Sequence, residues 1–81
     1  MGQALQLETE DANYYFNRGN CHLVLKMLSE ALTDLNKAIE LAPDVSMYFH
    51  SKGMVLQQQG LRHEAIKEFD NALGLNSNQV H

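Results

Sequence analysis

Residues 12–45 read ANYYFNRGNCHLVLKMLSEALTDLNKAIELAPDV, and residues 46–79 read SMYFHSKGMVLQQQGLRHEAIKEFDNALGLNSNQ. Laid over one another at an offset of 34, the two stretches are identical at Tyr14/Tyr48, Gly19/Gly53, Glu30/Glu64, Ala31/Ala65, Ala38/Ala72 and Leu41/Leu75. Random pairing at average composition gives roughly two such matches. Close substitutions fill further places: Tyr15/Phe49, Arg18/Lys52, Leu32/Ile66, Asp34/Glu68, Leu35/Phe69 and Ile39/Leu73. Self-similarity at one fixed period is the mark of a repeat architecture, so the period decides the fold before any single helix is considered.

Working outward, Ala4-Leu5-Gln6-Leu7 stands 34 residues before Ala38-Ile39-Glu40-Leu41, which stands 34 before Ala72-Leu73-Gly74-Leu75. Residues 1–11 therefore read as the tail of a preceding repeat or an N-terminal extension, 12–45 as repeat 1, 46–79 as repeat 2 and 80–81 as the C-terminal end. Each repeat reads as two helices. The spacing of Tyr15, Gly19, His22 and Leu23 predicts one over about 12–25, and Ala31, Leu32, Leu35, Ala38 and Ile39 share a face of a second over 28–41. Pro43 stops it, and Asp44 is placed to cap a third helix over about 45–59. Gly60 marks the turn into a fourth over about 61–75, and Asn76-Ser77-Asn78 reads as its stop.

With those positions in hand, the chain resembles the tetratricopeptide repeat family. Repeat 1 matches its pattern at Tyr15, Gly19, Ala31, Leu35, Ala38 and Pro43, and repeat 2 at Phe49, Gly53, Leu56, Ala65, Phe69 and Ala72. Arg18 and Lys52 depart from it where a large aliphatic is usual, His22 where an aromatic is common, and Ser77 where a proline closes the repeat. Long basic stems cover apolar surface while their charge stays wet, which accommodates the first two. The resemblance implies an all-α fold of αα-hairpin repeats stacked as a right-handed superhelix, with the first helix of each pair lining a concave groove.

The charge distribution agrees with that orientation. Arg18 is the only charged residue between Ala12 and Leu25, and Lys52 the only one between Ser46 and Gln59. Glu30, Asp34, Lys37 and Glu40, then Glu64, Lys67, Glu68 and Asp70, mark the second helices as the solvated outer wall. The family's geometry places Asn13, Phe16, Asn17, Asn20, Leu23 and Val24, followed by Met47, His50, Ser51, Met54, Gln57 and Gln58, on the concave face. Amide side chains offer both donor and acceptor to an extended peptide, and Phe16, Met47 and Met54 add adaptable apolar contact. Packing against a neighbouring repeat is the competing use of those three. One branch of the family clamps acidic chaperone tails with Lys and Asn. Here Phe16 stands in place of the Lys and Ser51 in place of the second Asn in one register, and Met47 and Ser51 stand where basic residues belong in the other, so that ligand is disfavoured.

The expected function is a protein-interaction module holding a peptide or helical segment of a partner. The alternative is a structural spacer whose contacts run repeat against repeat, with self-association through Ile66, Phe69 and Leu73. A net charge of -4 and six scattered basic residues exclude a phosphate-tracking surface, so no nucleic acid is expected. No apolar run approaches the roughly 18 residues of a membrane span, and a single cysteine without a signal segment points to a cytoplasmic setting. Cys21 reads as a small buried hydrophobe, since its neighbour His22 points about 100° away on a helix, wrong for a nucleophile and its base. His50, His63 and His81 share no ligand spacing. No enzyme activity, cofactor or metal is expected.

Overall fold

The computed structural model describes residues 11–78, and the readings for residues 1–10 and 79–81 lie outside them. Four helices follow in order: α1 (Ala12–Val24), α2 (Leu28–Leu41), α3 (Ser46–Gln58) and α4 (Arg62–Asn78). The described residues are thus all-α, as expected, and pair as two hairpins, α1 with α2 and α3 with α4, joined by packing of α2 on α3.

Local chemistry sets the helix ends. Asp11 caps α1, its Oδ1 accepting from the Asn13 N–H at 3.0 Å. The α1 to α2 turn closes with the Lys26 N–H donating to Leu23 O at 3.0 Å and the Met27 N–H to His22 O at 2.8 Å, with Lys26 at φ 64°. Thirty-four residues on, Gly60 at φ 86° donates to Gln57 O at 3.1 Å and Leu61 to Leu56 O at 2.9 Å. Both turns are Schellman motifs, which need a left-handed residue just past the cap.

Two boundary expectations are corrected. Asp44 does not cap α3: the cap position is Val45, with no side-chain hydrogen bond, so the Asp44 carboxylate stands one residue too early to reach the first-turn amides. Nor do Asn76 and Ser77 end α4, which runs to Asn78. Neither residue breaks a helix as Pro43 does, because both keep the backbone N–H that proline lacks.

The core lies in the seam between the hairpins. Leu23 of α1, Ala31 and Leu35 of α2 and Val55 of α3 form its buried centre, with Phe16, Leu28 and Leu32 packed around it. Close approach within each hairpin depends on the missing side chain at Gly19 and Gly53. A Cβ on Gly19 would stand 3.0 Å from Leu35 Cγ, and one on Gly53 would stand 2.7 Å from Phe69 Cε1.

Candidate interaction surface

The packing sets α1 and α3 side by side. The Phe16 and Tyr48 rings meet at 4.9 Å, and Lys26 Nζ donates to Gln58 Oε1 at 3.0 Å. On α1, Asn13, Asn17, Asn20 and Val24 recur at helical spacing, as do Met47, His50 or Ser51, Met54 and Gln58 on α3. Asn13, Asn17, Val24, Met47, His50, Met54, Gln57 and Gln58 are exposed, and Phe16 and Asn20 are half-buried. None of these exposed members is charged; they present amides, an imidazole, thioethers and the Val24 side chain, with Lys26 at the Gln58 edge.

Two members of the expected set do not face solvent. Leu23 is buried in the central cluster, and Ser51 is buried on α3. Leu23 packs with Ala31, Leu35 and Val55. Phe16 is half-buried because its ring meets Tyr48 at a 40° tilt and packs against the core.

A second site was not anticipated. Asp34, assigned from sequence to the solvated outer wall, is only 3% exposed. Its Oδ1 accepts from Arg18 Nη2 at 2.7 Å and Nε at 3.1 Å, and its Oδ2 lies 2.7 Å from His22 Nδ1. An ionised carboxylate only accepts, so Nδ1 of His22 carries the proton in this contact. Burial pushes the Asp34 carboxyl up, but the hydrogen bonds from Arg18 and His22, with their charges, outweigh it and hold the group below the ordinary carboxylate range. The same carboxylate, chiefly through its hydrogen bond, raises the Arg18 guanidinium above its already high value. Arg18 Nη1 also donates to the Tyr14 hydroxyl at 2.9 Å, and the guanidinium lies 5.2 Å from the Tyr14 ring and 5.5 Å from the Tyr15 ring. Arg18 and His22, the departures from the family pattern in α1, are therefore the partners of a buried acid. Repeat 2 keeps a weaker version, Lys52 Nζ to Glu68 Oε2 at 3.7 Å, with Leu56 in the place of His22.

Cys21 is exposed rather than buried, because the seam that covers the equivalent Val55 has no counterpart over α1 among the described residues. No group of three or more His, Cys, Asp or Glu among the described residues is arranged to hold a metal ion. No described helix is long and apolar enough to cross a membrane.

The α4 side of the molecule carries an apolar groove of about 470 Å³, lined by Ser46, Met47, His50, Phe69, Ala72 and Leu73. The His50 ring leans on Phe69 at 5.3 Å, while Ile66 and Leu73 are 52% and 63% exposed.

Comparison with known proteins agrees with the helical-repeat fold. Two models of the tetratricopeptide repeat match residues 12–45 and 48–79. The chain is 33% identical over 75 residues to the Protein SGT1 homolog of Bos taurus and 36% identical over 52 residues to that of Homo sapiens. These matches take in 93% and 64% of the chain but only 22% and 14% of the relatives' lengths. Two solved structures of MamA superpose with TM-scores of 0.86 and 0.83 at 27% identity, covering 96% of this chain and 46% and 43% of theirs.

Proposed function

Given that the chain belongs to the tetratricopeptide repeat family, a family of protein-interaction modules built as right-handed superhelices, we propose that its concave face holds an extended peptide or helical segment of a partner protein. The observation that carries this reading is the uncharged, amide-rich stripe across α1 and α3. Asn13, Asn17, Gln57 and Gln58 stand exposed beside Met47, His50 and Met54. Amides grip a peptide backbone without demanding a charge on it, and methionines adapt to varied side chains. The stripe carries little to select an acidic tail, since Arg18 is committed to Asp34 and Lys26, at one edge, donates to Gln58. The partner favoured is accordingly a polar or weakly apolar segment of low net charge, met in a cytoplasmic setting.

Affinity capture from cell extract tests the reading with three proteins. These are the wild type, a groove variant (Asn17→Ala, Asn20→Ala, His50→Ala, Met54→Ala) and an outer-wall variant (Glu30→Ala, Glu40→Ala, Lys67→Ala), all checked for equal helicity. Partners lost with the groove variant and kept by the outer-wall variant are expected. The reverse pattern overturns the proposal.

A further inference from the structure

We propose that this chain associates head to tail with a second copy of itself, the exposed face of α4 receiving α1 of the next molecule and Tyr14 entering the groove beside His50. The internal repeat supplies the template. Across the seam within the chain, Tyr48 of α3 is 5% exposed and lies on Phe16, and Val55 is fully buried against α1 and α2. Shifting the receiving surface forward by 34 residues turns Phe16 into His50, Leu32 into Ile66 and Leu35 into Phe69 and keeps Ala31 as Ala65, while Leu23 and Leu28 become Gln57 and Arg62 at its margin; Leu73 adds apolar surface beside them. His50, Phe69 and Leu73 line the α4 groove, and Ile66 and Leu73 stand open.

Shifting the inserted surface back by 34 residues turns Tyr48 into Tyr14 and Val55 into Cys21. Tyr14 is 44% exposed and Cys21 is exposed. Among the described residues, α4 therefore shows a surface like the one that the seam receives, and α1 shows one like the surface that the seam inserts. Burying a tyrosine and a small thiol against Phe69, Ile66 and Leu73 removes apolar area on both sides from water. The two surfaces differ, so the contact is heterologous and adds copies in a line rather than closing a two-fold dimer.

Sedimentation velocity under reducing conditions tests this with two variants altered only at exposed positions. The tail variant carries Ile66→Glu and Leu73→Glu, and the head variant carries Tyr14→Glu and Cys21→Glu. Circular dichroism checks their helicity, and Leu73→Ser and Tyr14→Ala replace either pair if helicity falls. Wild type is expected to grow in mass from low to high micromolar concentration, and each variant alone to remain monomeric. An equimolar mixture should stop at a one-to-one pair, because only one competent face of each kind remains. A wild type that stays monomeric throughout, a variant that associates alone, or a mixture that stays monomeric overturns the proposal. No partner is present in these runs, so the outcome is independent of whether the concave face holds a peptide.

Discussion

Asp34 has two cationic or proton-donating neighbours and almost no solvent, so its charge state is tied to folding. Its carboxyl is held below the ordinary range in the folded chain, while the unfolded value is about 3.9. A depressed carboxyl contributes stability that is present above the unfolded value and is lost as pH falls through the folded one. Asp34→Asn should cost about 1.5 to 3 kcal/mol near neutral pH, the range for hydrogen bonds to a charged group. Arg18 limits the loss because its side chain is 46% exposed and rehydrates. Urea unfolding at pH 7 and below pH 4 checks both parts: the deficit of the variant should shrink in acid, and an unchanged deficit would place the effect in packing instead. The cluster was legible in principle. Arg18 with Asp34 and Lys52 with Glu68 are opposite charges at the same offset in both repeats, but charge counted per helix assigned the acids to solvent. Register itself was readable from small residues: Ala65, like Ala31, is buried, and Ala65→Leu should lower stability by about 1 to 3 kcal/mol through overpacking. An unaltered melting temperature would contradict that register.

At the scale of the helices, the start of each one and the turn between hairpin partners obey different rules, and this explains which boundaries the sequence disclosed. Gly60 announces a left-handed turn because glycine adopts positive φ freely, whereas Lys26 gives no such signal at the same place in repeat 1. Pro43 announces the end of α2, but Asp44 misleads, since a capping residue one position early looks the same in a sequence. The end of α4 was misread for a similar reason: Asn and Ser favour caps and turns without excluding helix. The two turns make a matched pair of tests. A Cβ on Gly60 meets nothing within 4 Å, so Gly60→Ala isolates the backbone cost, expected at about 1 to 2 kcal/mol. Lys26→Gly should act in the opposite direction and stabilise by up to about 1 kcal/mol, less the exposed hydrogen bond to Gln58. Denaturation midpoints of the two variants should therefore move apart from wild type. Shifts of the same sign would mean that the turns are not equivalent.

The molecule as a whole is a slab of 44 × 33 × 15 Å, too thin to enclose any helix on all sides, so its interior is the seam where one hairpin meets the other. Helical repeats are stabilised as a sum of hairpin and nearest-neighbour terms, and here Val55 carries much of the neighbour term. It belongs to repeat 2 by sequence, yet it is fully buried in the cluster that Leu23, Ala31 and Leu35 build in repeat 1. The period showed that a seam must exist. It could not show that Val55 is inside while its equivalent Cys21 is outside, because burial depends on having a neighbour and not on position within the repeat. Val55→Ala removes apolar contacts from the seam alone and should cost about 1.5 to 3 kcal/mol. If the seam couples the hairpins, native-state hydrogen exchange will show amides of α1 and α4 losing protection together, although neither helix contains the substitution. Protection lost only in α3 and α4 would mean that repeat 1 holds its fold without help. The seam would then support repeat 2 alone rather than complete a core on which both hairpins depend.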